Sequence, residues 1–94
     1  MKVKFFVDPE TAQPHIFNHG VTEAEVRQVL ARPGFVLRGR KNSRFALGQT
    51  AAGRYLKVVY VPRPEVRGIL VVTAYDLRGK ELKAYRRRGR RKFR

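Results

Sequence analysis

The chain has no cysteine and no tryptophan, and only seven of its 94 residues are acidic. Without cysteine, disulfide frameworks and thiolate metal sites are excluded. The two histidines on their own rarely hold a metal ion. The N-terminus has no secretory-signal layout, and the longest apolar run is far shorter than the roughly 20 residues that a membrane-spanning helix needs. We therefore expect a cytoplasmic protein without a metal or another cofactor.

Basic residues dominate the composition. The chain carries 22 lysines and arginines, which give a formal net charge of +15. Residues 77–94 hold ten of these cations and a single acid. Such a charge attracts polyanions at long range and releases counterions from phosphates. The composition predicts a nucleic acid partner, and the alternatives are a disordered solubilising tail or a segment that binds a membrane surface.

The N-terminal third of the chain predicts one strand and one helix. Apolar residues alternate from Val3 to Val7, which is the pattern of a half-buried strand. Thr22 and Glu25 have the spacing of a capping box, and the apolar residues that follow lie on one helical face. We predict an amphipathic helix over residues 22–32.

The central part of the chain predicts antiparallel strands. Three β-rich runs, at residues 35–37, 45–47 and 55–61, are separated by turns that contain glycine. A further run, Ile69 to Thr73, is the most apolar and is the best candidate for a central strand. The pattern favours a four-stranded antiparallel meander.

The C-terminal part of the chain predicts a second helix and a tail. Asp76 is placed to cap this helix, which would carry Tyr85 back onto the sheet and end at Gly89. We predict an α+β fold with an antiparallel sheet of four to five strands and helices packed on one face. Residues 1–88 would form a single domain, and residues 89–94 a basic, disordered tail.

Cations recur along the predicted strands and could form a concave basic face. Arg38 and Arg40 share one side of a strand, and Tyr55 could stack on unpaired bases beside Lys57. Alternatively, these cations only protect strand edges. The residues that we predict to bind RNA are Arg38, Arg40, Tyr55, Lys57, Lys83, Arg86, Arg87, Arg88, Arg90 and Arg91.

The chain has few groups for acid–base chemistry. It shows no Ser-His-Asp, Cys-His, paired-carboxylate or phosphate-loop pattern. His19 precedes the first helix and can exchange protons near neutral pH, but on spacing alone a structural role is favoured, because a loop histidine that caps a backbone group is commoner than a catalytic one. His15 has a weaker case. RNA cleavage by the 2′-hydroxyl is compatible with these residues and needs no metal.

Several motifs together resemble one protein family. His19-Gly20-Val21-Thr22, a helix ending in Leu30-Ala31-Arg32-Pro33, Arg44-Phe45-Ala46-Leu47-Gly48 and Gly53-Arg54 are similar to the BrnT-like ribonuclease toxins. Ala74, Leu77, Glu81 and Tyr85 match that family near its last strand and helix. The resemblance implies a small RelE-like domain, metal-independent cleavage of RNA, on or off the ribosome, and a cognate antitoxin protein in a type II toxin-antitoxin pair.

Two positions depart from the family pattern. Asn18 stands where the family has a lysine, and Tyr75 where it has an arginine. Both family residues would be expected to handle phosphate. With the resemblance, the predicted catalytic residues are His19, Arg44, Arg54 and Tyr75, and the predicted function is an endoribonuclease toxin that cleaves RNA on a basic sheet face. The alternative is a non-catalytic RNA- or DNA-binding protein of the same fold.

Overall fold

A computed structural model describes residues 2–92. The strands are β1 (Lys2–Phe5), β2 (Val7–Asp8), β3 (Gln13–Pro14), β4 (Phe35–Arg38), β5 (Arg44–Gln49), β6 (Tyr55–Arg63) and β7 (Gly68–Asp76). The helices are α1 (Glu23–Ala31) and α2 (Gly79–Lys92), with 3-10 helices at His15–His19 and Pro64–Val66. Over these residues, neither α-helix has both the length and the apolar character needed to cross a membrane.

Five strands form one mixed sheet in the order β1-β7-β6-β5-β4. β4 to β7 are the predicted antiparallel meander, and β1 joins its edge parallel to β7. β2 and β3 form a separate two-stranded sheet. The α+β class is thus confirmed. The apolar β7 lies inside the sheet, between β1 and β6, as predicted.

The first strand is shorter than the alternation predicts. It ends at Phe5, and Val7 pairs instead with Pro14 in the two-stranded sheet. Val7 is 50% exposed. Alternation shows which residues are extended but not which neighbour they pair with, so it could not detect that the chain leaves the main sheet at Phe6.

α1 begins where its capping box predicts. The Glu25 backbone N–H donates to Thr22 Oγ1 at 3.1 Å, and the Thr22 N–H donates to Glu25 Oε1 at 3.0 Å. Val26 and Val29 are fully buried and belong to the core cluster that includes Val58 on β6. The local cap and the apolar face of the helix therefore agree with the tertiary packing.

Removing this cap tests its contribution. We expect Thr22→Ala to lower the free energy of unfolding by about 1 kcal/mol, because the Glu25 backbone N–H loses its acceptor, Thr22 Oγ1. Thermal unfolding followed by circular dichroism measures this change. Thr22→Ser keeps the hydroxyl and should unfold like the unsubstituted chain; equal losses in both variants would contradict the capping role.

The two helices lie on opposite faces of the sheet, so the prediction that both pack on one face is wrong. Leu47 and Lys57 are cross-strand partners, and Lys57 Nζ lies 2.8 Å from Glu81 Oε2 on α2. The next residue, Gly48, points the other way, where an added Cβ would lie 3.0 Å from Val29 of α1. The central strands carry apolar side chains on both faces, and each face needs a cover.

Both ends of α2 differ from the prediction. The helix begins at Gly79, so Asp76 does not cap it; the Asp76 carboxylate binds Arg54 instead. The helix does not end at Gly89 but continues to Lys92. One interior glycine costs a helix only about 1 kcal/mol, and the neighbouring arginines favour helix. The predicted disordered tail, 89–94, therefore overlaps a helical turn, and its residues 93 and 94 lie outside the described residues.

Tyr85 anchors α2 on the sheet. Its ring meets Phe35 and Tyr55 edge-on, at centroid distances of 5.3 Å and 5.5 Å. Burial, and then the neighbouring Tyr55, raise the pKa of the Tyr85 hydroxyl. An aromatic contact thus holds the very basic α2 over the sheet face that the sequence analysis left open.

Candidate active site

An open cavity lies beside the C-terminal half of β7. β1 pairs with β7 only as far as Val71, so the rest of that strand edge is left to the 3-10 helix His15–His19. The cavity has a volume of about 720 Å³. Its lining residues are His15, Asn18, His19, Thr73, Tyr75, Asp76 and Arg78. This size is typical of small-ligand sites in proteins.

Four rings form a continuous series along this cavity, which we call the aromatic row. The centroid distances are 6.5 Å from Phe6 to His15, 5.5 Å from His15 to His19, and 5.8 Å from His19 to Tyr75. Of the predicted catalytic residues, His19 and Tyr75 are therefore brought together. His15, which the sequence analysis ranked lower, lies between Phe6 and His19.

Asp8 orients the His15 imidazole. Asp8 Oδ2 lies 3.4 Å from His15 Nδ1 and also accepts a hydrogen bond from the Asn18 amide at 3.1 Å. The Glu10 backbone N–H donates to the other carboxylate oxygen at 2.9 Å. These contacts, Glu10 first and then Asn18, hold the pKa of Asp8 below its ordinary value. An ionised Asp8 favours the tautomer with a proton on Nδ1, which leaves Nε2 of His15 as an acceptor. The Asn18 Nδ2 also lies 3.3 Å from Nδ1, and in this tautomer it donates to Asp8 and not to His15.

A cation and a free hydroxyl complete the cavity. Arg78 lines it with an 84% exposed side chain, and its Nη2 lies 3.6 Å from Asp76 Oδ2. Arg78 follows Tyr75 by three residues, so a guanidinium reaches this site although Tyr75 stands at the family's arginine position. Thr73 Oγ1 is buried and has no hydrogen-bond partner among the described residues. The exposed Arg78 guanidinium is accessible to an anionic ligand, whereas the Thr73 oxygen is not.

Arg54 lies behind the aromatic row, and protein acceptors occupy its N–H donors. Nε and Nη2 bind the Asp76 carboxylate at 2.7 Å and 3.1 Å. Nη1 donates to the Gly20 carbonyl at 2.8 Å and to Glu25 at 3.1 Å, and Nη2 lies 3.4 Å from the His19 carbonyl oxygen. In this arrangement Arg54 has no donor left for a phosphate. It fixes the loop that carries His19.

This network shifts the pKa values of its members. Arg54 lowers the pKa of Asp76, and the Thr22 N–H, followed by Arg54, lowers that of Glu25. The two carboxylates, Asp76 foremost, raise the pKa of Arg54. All three groups stay charged at neutral pH, so the network ties α1, β6 and β7 together beside the cavity.

Arg44 lies away from this site. Its guanidinium donates to the carbonyl oxygens of Asn42 and Ser43 in the β4–β5 turn. Arg44 pairs with Tyr60, six residues along the strand from Arg54, which corresponds to about 20 Å of extended chain. The structure therefore does not bring Arg44 together with the other predicted catalytic residues.

α2 covers the sheet face predicted to bind RNA. Arg86 lies 5.1 Å from the Tyr55 ring centroid, and Tyr85 packs against the same ring. Lys57 is bound to Glu81, and its side chain is only 14% exposed. Neither Tyr55 nor Lys57 is free to contact a ligand in this arrangement.

The other predicted RNA-binding residues lie outside the cavity. Arg38 and Arg40 are exposed at the end of β4 and in the turn after it. The exposed residues on α2 are Lys83, Arg86, Arg87 and Arg88. Arg90 and Arg91 belong to the same helix, but their side chains lie outside the described part of the chain. The exposed cations on β4, in its turn and on α2 are accessible to the phosphates of an extended polyanion.

Sequence reasoning did not single out Asp8 or Arg78, which the structure places beside His15 and in the cavity lining, and it gave His15 a weaker case than His19. The sequence shows an acid seven residues before a histidine. This spacing has no fixed geometry until β2 and β3 pair, so it did not predict the contact. For Arg78 the only indication was its position shortly after the last strand. Contacts between residues of different elements decided both assignments.

The chain was compared with models of known protein families, with curated proteins and with solved structures, and none of them matches. Membership of the BrnT-like family therefore stays a prediction. Over residues 2–92, no group of three or more His, Cys, Asp or Glu side chains is placed to hold a metal ion.

Proposed function

We propose that this chain is an endoribonuclease whose reaction uses the 2′-hydroxyl of RNA and two histidines. The observation that carries the proposal is the pair of imidazoles, His15 and His19, at 5.5 Å in one open cavity, with Asp8 orienting the first. Two such groups can accept one proton and donate another in a single step. The net charge of +15 would attract the RNA.

The proposed reaction is an intramolecular phosphoryl transfer. Nε2 of His15 accepts the proton of the 2′-hydroxyl while O2′ forms a bond to phosphorus. The bond from phosphorus to O5′ breaks, and protonated His19 gives its proton to the leaving oxygen. The products are a 2′,3′-cyclic phosphate and a 5′-hydroxyl. Arg78 stabilises the pentavalent phosphorane, and Tyr75 is placed to position the His19 ring.

We further propose that the chain is the toxin of a cytoplasmic type II toxin-antitoxin pair. Besides the family resemblance, an exposed apolar strand edge supports a protein partner. β4 is an edge strand whose Val36 and Leu37 are 50% and 41% exposed on its two faces. Beside it, a groove of about 260 Å³ is lined by Phe35, Tyr85 and Arg88 among others. Its basic surroundings favour an acidic, extended antitoxin segment over a second copy of this cationic chain.

The genes beside the one that encodes this chain can identify the proposed antitoxin. A short neighbouring reading frame that encodes an acidic protein would be co-expressed with the chain and the complex isolated. Leu37→Lys should weaken that complex, because it places a cation in the apolar groove, whereas Arg63→Ala, far from β4, should not. Absence of such a reading frame, or a complex insensitive to Leu37→Lys, would favour a stand-alone protein.

Incubation with labelled RNA in EDTA tests the ribonuclease proposal. We expect cleavage that yields 2′,3′-cyclic phosphate ends and that stops when the nucleotide before the cut carries 2′-hydrogen instead of the hydroxyl. Cleavage should pass through a maximum as pH rises, because one imidazole must be neutral and the other protonated. The assay is repeated with ribosomes, since the toxin proposal includes cleavage of free RNA and cleavage of RNA on the ribosome.

The alternative is a non-catalytic RNA- or DNA-binding protein. It is favoured by Arg54, whose donors are occupied, and by Asn18, which replaces a cation of the family pattern. Tight binding without cleavage, both with and without ribosomes, would support this alternative and reject the enzyme.

A further inference from the structure

Exposed apolar side chains are concentrated near one end of the aromatic row. Of the six large apolar side chains found exposed among the described residues, Phe6, Val7 and Phe17 lie within residues 6–17. Phe6 is 42% exposed, and its ring centroid is 6.5 Å from that of His15. It therefore presents an aromatic surface to solvent directly beside the proposed reaction centre.

The backbone of Phe6 is held on both sides. Its N–H donates to the Val71 carbonyl at 2.8 Å, and its own carbonyl accepts from the His15 N–H at 2.9 Å. These bonds fix Phe6 relative to both β7 and the 3-10 helix that carries the imidazoles. A ring on such a fixed backbone loses little freedom when a flat ligand stacks on it.

The sequence analysis assigned base stacking to Tyr55, but that ring is covered by Tyr85 and Arg86. An exposed ring that does lie against the proposed reaction centre is that of Phe6, whose centroid is 6.5 Å from that of His15. Nucleobases stack on aromatic side chains when they are unpaired, and the contact tolerates any base because every base has a π face. Stacking also requires no charge, so it can be separated experimentally from phosphate attraction.

We propose that Phe6 is the stacking platform for an unpaired nucleobase next to the reacting phosphate, so that the cavity takes single-stranded rather than duplex RNA. This proposal rests on the proposed function for the identity of the ligand. A base stacked on Phe6 would place the adjoining phosphate over the His15 and His19 rings. In a duplex the same base would be paired and stacked within the helix.

The test measures binding separately from cleavage. A short RNA whose 2′-hydroxyls are all methylated cannot be cleaved through the 2′-hydroxyl, and 2-aminopurine in its centre reports stacking through quenched fluorescence. We expect quenching with the unsubstituted protein and with Phe6→Tyr. Phe6→Ala and Phe6→Leu should lose the quenching and bind about tenfold more weakly. Val66→Ala, which removes a similarly exposed apolar side chain from the 3-10 helix Pro64–Val66, should change neither.

The outcomes separate this proposal from the proposed function. If Phe6→Leu quenches and binds like the unsubstituted protein, or if duplex RNA binds as tightly as single strands, the Phe6 platform is rejected even when cleavage is observed. If quenching depends on an aromatic residue at position 6 but normal RNA is not cleaved, the platform stands and the ribonuclease proposal fails. Circular dichroism of Phe6→Leu verifies that any loss does not reflect unfolding.

Discussion

The His15→Ala variant is expected to cleave RNA at least about 100-fold more slowly than the unsubstituted protein, with RNA binding retained. In the unsubstituted protein, Nε2 of His15 is the proposed acceptor of the 2′-hydroxyl proton, and Asp8 favours the tautomer that makes this nitrogen an acceptor. His19→Ala should cause a comparable loss, because the leaving oxygen would depart without a proton. The measurements are single-turnover cleavage rates and binding to an uncleavable 2′-O-methyl RNA.

Asp8→Asn provides a graded comparison. The amide cannot hold His15 in one tautomer as a carboxylate does, so we expect a smaller loss of rate than in His15→Ala and a changed dependence of the rate on pH.

An RNA substrate whose leaving group needs no proton separates the roles of the two histidines. It should restore much of the cleavage rate of His19→Ala but not that of His15→Ala. Cleavage by His15→Ala at the original rate would remove the imidazole pair from the mechanism.

The second large effect concerns Arg54 and is an effect on stability. We expect Arg54→Met to lower the free energy of unfolding by about 2 kcal/mol, because Asp76 and Glu25 lose their shared cation and two carbonyl groups lose a donor. The expected loss of stability is smaller than for a fully buried ion pair, since the Arg54 side chain is 29% exposed. Chemical denaturation at pH 7 measures the change. Arg44→Met removes the same charge without breaking a carboxylate pair and should cost much less.

The same variant should alter the response of stability to acid. The pKa values of Asp76 and Glu25 are lowered in the folded chain, so the unfolded chain takes up protons first as pH falls. The stabilisation is thus complete above the ordinary carboxyl range and is lost as pH falls through the lower, folded pKa values, below about pH 4. Arg54→Met should show a shallower loss over this interval. An unchanged acid response would indicate that the network contributes little.

Arg54→Met also separates structure from chemistry. If Arg54 only fixes the loop of His19 and Gly20, the folded variant at low temperature should retain some cleavage and bind RNA normally. Loss of RNA binding in the folded variant would instead show that Arg54 contacts phosphate. That result would require the guanidinium to leave Asp76 when RNA binds.

The sequence determined the features that depend on neighbours along the chain. The capping box of Thr22 and Glu25 defined the start of α1 because both groups act within one helical turn. Turn residues and alternating apolar runs predicted the meander for the same reason. The excess of cations gave the field that favours a polyanion, because charge sums over the chain whatever its fold.

Only the tertiary structure decided which groups meet. A run of apolar residues does not show which sheet face a helix will cover, so α2 was misplaced and Tyr55 was wrongly expected to be open. Asp8 reaches His15 because β2 pairs with β3, and Arg54 reaches Glu25 and Asp76 because three elements converge. These contacts join residues far apart in the chain, and their geometry depends on packing that local spacing does not contain.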